Sequence, residues 1–275
     1  MFWQTSRFQI SLDEPRVMGI VNITPDSFSD GGQHATTASA LQHCEQLLSE
    51  GADILDIGGE STRPGSPPVS LEEELARVVP VVRHAVKLGV PISVDSYKPQ
   101  VMRAVLDLGA DIINDIWALR QPGAAEVVAS YRDCGVCLMH MHRDPQTMQV
   151  APMEGDVVAQ VLSFLELSAQ SLLGLGAKKT QIMLDPGIGF GKTVAQNFAL
   201  LKHQRALLAA GFPLLAGWSR KSSLGAVTDR TVDERMVPSI AAAMLAVEQG
   251  AAVVRVHDVR DTVAALAVLK AMQGA

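Results

Sequence analysis

PISVDSYKPQVMRAVLDLGADIINDI (residues 91–116) begins with a short β-rich run, PISVD (91–95), passes through an amphipathic helical stretch (99–108), and ends on a second β-rich run, DIINDI (111–116). A strand, a helix and a second strand at this spacing make one repeat of a parallel sheet. The alternation extends in both directions. Upstream lie RVMGIV (16–21) and DILDIG (53–58); downstream lie VCLMH (136–140), QIMLD (181–185), PLLAGWS (213–219) and AVVRVH (252–257). Helical stretches at 36–50, 71–88, 123–133, 156–175, 195–210, 233–249 and 259–272 complete the pairs.

Closing such a set of parallel strands into a barrel removes both sheet edges. An open doubly wound sheet would need a point where the strand order reverses, and usually a glycine fingerprint after its first strand; neither is visible. The expected fold is α/β, a (β/α)8 TIM barrel, in one domain over residues 1–275.

The 275 residues are 48% apolar and 19% charged, the balance of a globular chain with a full core. Acidic side chains outnumber basic ones, 29 to 23, so no general positive field gathers nucleic acid and any anion needs a local cluster. The start, MFWQTSRFQI, has no apolar signal segment, and the longest unbroken apolar run, 240–247, is far short of the ~20 residues that span a bilayer. A cytoplasmic location without membrane contact is expected. Three cysteines, Cys44, Cys134 and Cys137, argue against a disulfide framework.

The strands become polar at one end. Asn22, Asp56, Asp95, Asn114, His140, Asp185, Ser219, Arg255 and His257 fall at the last positions of a strand or just beyond it, while strand interiors are Val, Ile, Leu and Met. In a parallel barrel that end is a single rim, where active sites are built. Residues two apart share a face, so Arg255 pairs with His257, Asp95 with Ser93, Asn114 with Ile112, Asp185 with Met183 and Lys221 with Ser219. Any one Asp or Asn could cap a helix. Isolated carboxylates are costly to bury, so their recurrence on strand after strand points to a shared ligand. Two long polar loops, NITPDSFSDGG (22–32) and GGESTRPGSPP (58–68), follow adjacent strands, and segments 22–34 and 58–70 are expected to be mobile lids.

Two strings mimic other chemistry. DPGIGFGKT (185–193) ends like a phosphate-binding loop, but the first glycine of that motif falls on Pro186, and Gly187, Gly189 and Gly191 are spaced two and two rather than as GxGxxG. Cys134 and Cys137 form a CxxC near His140 and His142, yet it enters a strand instead of opening a helix, so buried structural thiols are expected.

NITPDSFSDGG, GGESTRPG, ISVDSYKP, INDI, DPGIGF, GWSRKS and RVHDV, in this order and at these spacings, resemble the dihydropteroate synthase family of bacterial folate synthesis over residues 16–270. The resemblance implies a usually dimeric (β/α)8 barrel that joins 6-hydroxymethyl-7,8-dihydropterin diphosphate to 4-aminobenzoate, releases diphosphate and requires Mg2+. It places the pterin on Asp95, Asn114, Asp185 and Lys221, the diphosphate on Thr62, Arg255 and His257, and the metal on Asn22. Thr62, Arg63 and Ser219 match positions near the aminobenzoate, with Phe28, Pro64 and Phe190 as apolar walls. Catalytic roles fall to Arg63, Lys221, Arg255 and His257. The small-molecule substrates and a second copy of the chain are the partners implied. One departure stands in MHMHRDPQTMQ (139–149), where Arg143 replaces a glycine and puts the conformation of the fifth loop in question.

Corrinoid methyltransferases that use methyltetrahydrofolate share the pterin-binding barrel but should lack the STRPG and SRKS loops. A binding role without turnover, as in relatives with eroded loops, is opposed by the presence of Asn22, Arg63, Lys221, Arg255 and His257. A Schiff-base aldolase on Lys221 is the remaining alternative, open to borohydride trapping.

Overall fold

The computed structural model describes residues 1–23, 32–61, 66–144, 147–148, 150 and 152–274. The chain opens with an antiparallel hairpin that the sequence reading did not anticipate, β1 (Phe2–Gln4) and β2 (Gln9–Ser11). The parallel strands follow: β3 (Arg16–Asn22), β4 (Ile54–Gly58), β5 (Ile92–Asp95), β6 (Ile112–Asp115), β7 (Gly135–Met139), β8 (Ile182–Asp185), β9 (Leu214–Ala216) and β10 (Ala251–Val256). They close in sequence order, with β10 against β3, into the expected barrel. Around it lie α1 (Gly32–Ser49), α2 (Leu71–Ala85), α3 (Pro99–Asp107), α4 (Ala124–Ala129), α5 (Val157–Gly174), α6 (Val194–Lys202), α7 (Ser222–Thr228), α8 (Met236–Glu248) and α9 (Val259–Gln273).

Local sequence explains the helix starts. Ser70 caps α2 by accepting from the Glu73 amide at 3.1 Å, and Glu72, Glu73 and Glu74 meet the positive end of the helix dipole. Pro99 opens α3, whose Val101, Met102, Val105 and Leu106 are buried. Thr193 and Gln196 form a reciprocal capping box on α6, so the GKT string is a loop end followed by a helix cap. α5 has the length and composition of a membrane span, yet it packs on the barrel through Val157, Val161, Leu165, Ala169 and Leu172.

Several boundaries differ from expectation, α4 among them, which ends at Ala129 instead of 133. The stretch 195–210 breaks at His203 into α6 and a 3-10 turn over Gln204–Ala210. The extra helix α7 precedes α8, and β9 ends at Ala216 instead of continuing to 219.

Alternation sorts the barrel side chains into two cores. Outward residues such as Val17, Val94, Val136 and Val254 meet the helices. Inward residues Met18, Ile54, Ile112, Cys137, Met183, Leu215 and Val253 fill the lower barrel with Trp3 and Ile10 of the hairpin. Trp3 is fully buried, and its indole N–H donates to Gln181 O at 2.8 Å. The hairpin therefore plugs the N-terminal end and leaves the opposite rim as the open mouth. Cys134 lies in the outer core and Cys137 in the inner one, so this CxxC cannot chelate; burial pushes the Cys134 thiol up to about 12 and Cys137 up as well.

Candidate active site

Parallel register sets the polar side chains level with one another. Asn22 stands beside Gly58, Gly58 beside Asp95, and Asp95 beside Asn114; Met139 stands beside Asp185. Asp56 lies one pleat deeper, beside Ser93. Above the apolar plug most inward side chains are polar, with Ile20 and Met139 as the apolar exceptions, and the polar ones converge.

Arg255 reaches across the mouth from β10. Its Nε donates to Asp56 Oδ2 at 2.6 Å and its Nη2 to Asp95 Oδ2 at 2.8 Å. Asp56 Oδ2 also accepts from Asn114 Nδ2 at 3.1 Å, so one fully buried carboxylate joins three strands. Burial pushes the Asp95 carboxyl up to about 7 against the pull of Arg255, while burial would lower Arg255 and its two acids hold it charged. Asp56 Oδ1 and Ser93 Oγ are buried with no partner in the structure. Unsatisfied polar atoms are rare in a finished core and mark a surface shaped for something else.

Asp185 faces the same space from β8, nearly buried, and Oδ1 accepts from the Gly187 amide at 2.7 Å. Burial raises its carboxyl, opposed by that amide and by Lys221, Lys192 and Arg255. Glycine is required in the loop that follows: a Cβ at Gly187, φ +67°, would stand 1.9 Å from His140 O. Phe190 lies within this loop, with the Lys221 ammonium 4.3 Å from its ring centroid. Ile116, Met139, Met141 and Met148 join Phe190 in an apolar cluster at the rim.

Ser219 and Lys221 lie beyond the end of β9, so strand alternation does not place them. A turn does: Arg220 between them takes a left-handed φ of 58°. Its guanidinium grips Asp258 at 2.7 and 3.3 Å, its amide donates to Ser239 Oγ at 2.8 Å, and its carbonyl accepts from Arg235 at 3.2 Å. Ser219 Oγ then meets His257 Nδ1 at 2.9 Å and accepts from the His257 amide at 3.1 Å. At the departure in the fifth loop, Arg143 adopts φ 62°, the conformation a glycine takes without strain.

The structure thus brings Asp95, Asn114, Asp185, Ser219, Lys221, Arg255 and His257 to one rim, with Phe190 beside them and Asn22 partly exposed at the end of β3. Phe28, Thr62, Arg63 and Pro64 lie outside the described residues. Sequence reasoning placed Asp56 on the rim but gave it no role, although its inward position two residues from a strand end was the available signal. Among the described residues no three His, Cys, Asp or Glu side chains are grouped to cage a metal.

A family profile described as pterin binding enzyme matches residues 18–257. The dihydropteroate synthase of Neisseria meningitidis serogroup B is 51% identical over 276 residues, covering 98% of this chain and 97% of that one. The chain belongs to the dihydropteroate synthase family. Among solved members of this synthase family, the Xanthomonas albilineans enzyme with 4-aminobenzoic acid is 49% identical with a TM-score of 0.94, covering 100% of both chains. The Burkholderia cenocepacia synthase complexed with 7,8-dihydropteroate is 50% identical with a TM-score of 0.90, covering 99% of this chain and 96% of that one.

Proposed function

We infer that this chain is a transferase that condenses 6-hydroxymethyl-7,8-dihydropterin diphosphate with 4-aminobenzoate to give 7,8-dihydropteroate and diphosphate in folate biosynthesis. The observation that carries the reading is the acid and amide wall of Asp56, Asp95, Asn114 and Asp185 inside the mouth of a barrel of this family. A pterin edge presents an amidine-like set of donors and acceptors. Asp185 and Asn114 suit that edge, and Lys221 can donate to the ring carbonyl and N5.

The leaving diphosphate is attached to a methylene beside an electron-rich ring, so C–O cleavage can run ahead of attack by the amine. Arg255 and His257 neutralise the departing charge, with Arg63 as a further cation, and Asp95 and Asp185 hold the cationic pterin left behind. Two of Arg255's five N–H donors are committed to Asp56 and Asp95, which fixes its plane across the mouth. Ser219 orients the imidazole of His257. The aniline nitrogen is unprotonated at neutral pH, so no strong general base is assigned. The amine then forms the C–N bond to the methylene whose C–O bond has broken, diphosphate leaves with that bond's electron pair, and the amine's proton passes to solvent or diphosphate. Thr62, Pro64, Phe28 and Phe190 are assigned with Arg63 and Ser219 to the aminobenzoate end, and Thr62 also to the diphosphate.

Magnesium fits the donor set. A single amide oxygen at Asn22, with no acidic or imidazole cage among the described residues, suits a hard ion that keeps water and takes most of its ligands from diphosphate. When bound, it would add positive charge at the leaving group.

The chain is also proposed to act as a cytoplasmic homodimer, with its three buried cysteines reduced. Val227, Met236, Val237, Leu245, Val268 and Met272 are exposed on α7, α8 and α9, an apolar face suited to a second copy. Sedimentation showing a monomer at assay concentration would remove this part. The activity is tested by diphosphate release, which should require both substrates; release that ignores 4-aminobenzoate, or none with both present, would reject the reading.

A further inference from the structure

The GKT string is a loop end followed by a helix cap, and its lysine is far from idle. Lys192 is 3% exposed, and its ammonium donates to Gly187 O at 2.7 Å, Phe190 O at 3.1 Å and His140 O at 3.3 Å. Among the described residues it makes no salt bridge. A buried ammonium held by carbonyls alone is costly, and a methionine would fill the volume without that cost. The cation must therefore do something that packing cannot.

What it holds is informative. The Gly187 peptide gives its N–H to Asp185 and its carbonyl to Lys192, so the carboxylate and the ammonium grip opposite ends of one residue. The Phe190 carbonyl is fixed by the same ammonium, and the Phe190 ring carries Lys221. His140 directly follows β7 at the start of the fifth loop, so its bond to Lys192 ties the fifth and sixth loops together. Asn197 braces the middle of the loop by accepting from the Gly189 amide at 2.9 Å.

We propose that Lys192 is a positioning residue for pterin recognition, setting the Asp185 carboxylate and the Phe190 ring beneath Lys221 as one rigid unit. This rests on the pterin reading of the site.

The electrostatics agree. Burial lowers Lys192 to about 7, with Asp185 supporting its charge and Lys221 opposing it. His140 is driven down to about 2 by burial first, then by Lys192, Arg120 and His142, and stays neutral. Lys221, the strongest of the three, and Arg255 are the other cations that act on Asp185. Removing the Lys192 charge therefore leaves Asp185 easier to protonate.

The test compares wild type, Lys192→Met and Lys192→Arg by calorimetric titration with the pterin diphosphate alone, by the KM for each substrate, and by both across the acid pH range. Lys192→Met should lose about ten-fold or more in pterin affinity, the equivalent of roughly one pKa unit of differential interaction. Its KM for 4-aminobenzoate should be unchanged, and the acid limb of pterin affinity should move to higher pH. Lys192→Arg, which keeps the charge, should restore the limb. If Lys192→Met fails to fold, Lys192→Gln keeps a donor, removes the charge and carries the same readouts. Wild-type pterin affinity in the charge-removed variant, or an unmoved acid limb with both KM values raised alike, overturns the proposal. Wild type that does not bind pterin overturns the proposed function instead.

Discussion

Both ends of the barrel bury an aspartate against an arginine, and they do it differently. At the plugged end, Asp111 is fully buried and all its lone pairs are used: Oδ1 accepts from Arg7 N at 3.1 Å and Arg7 Nε at 3.0 Å, and Oδ2 from Arg7 Nη2 at 2.5 Å and Ile92 N at 2.9 Å. At the open end, Asp56 meets Arg255 and Asn114 through Oδ2 alone, and its Oδ1 is left without a partner beside an equally unpartnered Ser93. A saturated pair specifies structure. An unsaturated one keeps hydrogen-bonding capacity for a ligand, at a cost in stability that the rest of the barrel offsets.

Backbone strain divides the same way. Of the five non-glycine residues at positive φ among the described residues, Ala118, Leu119, Arg143 and Arg220 lie in loops after β6, β7 and β9 at the rim. Asp115 holds the first of these loops by accepting from the amides of Trp117 at 2.8 Å and Leu119 at 2.7 Å. Such conformations persist where surrounding contacts over-determine them.

The largest expected effect breaks the plugged end. Asp111→Ala should cost roughly 3–5 kcal/mol of stability by stranding Arg7 and the Ile92 amide, seen by denaturant unfolding, with both KM values unchanged in the folded fraction. A KM change of ten-fold would mean that the two ends are not separable. The converse is Asp185→Ala, expected to weaken pterin binding by about 100-fold, the value of one buried charge-assisted contact, while unfolding is little changed. Asn114→Ala and Asp95→Ala should weaken it in the same direction, and Arg255→Ala should mainly impair diphosphate handling. Unchanged calorimetric affinity in all three pocket variants would show that the site is misassigned.

A pH experiment sharpens the contrast. Because the folded carboxyl of Asp95 is raised from 3.8 to about 7, the folded state holds its proton through that window and stability contributed there falls as pH rises. Pterin binding, which uses the ionised form, should rise over the same interval. Asp95→Asn should flatten both curves, and opposite slopes that survive the substitution would assign the titration elsewhere. The smallest effect is Arg143→Gly, expected to gain about 1 kcal/mol by relieving a left-handed φ, with activity retained. Thermal melting checks it, and a loss of stability would show that the arginine side chain compensates for its backbone.

The fold was legible because barrel strands announce themselves locally: apolar runs of fixed length, helical stretches between them and polar residues at one end. Asp95, Asn114, Asp185 and Arg255 could be named for that reason. The hairpin plug was not legible, since three-residue strands carry almost no periodic signal and Trp3 gains its place only from the barrel beneath it. The register of the GKT string argued against a phosphate loop, but nothing local pointed to the carbonyl cage of Lys192, which joins residues 52 positions apart in the chain. The sequence by itself determined which chemical groups stand at the mouth, because strand period and direction are short-range properties. Only the tertiary structure decided which of those groups touch, that Asp56 keeps an unused oxygen and that a buried lysine braces the loop. Closure of the barrel sets those distances, and no local pattern encodes them.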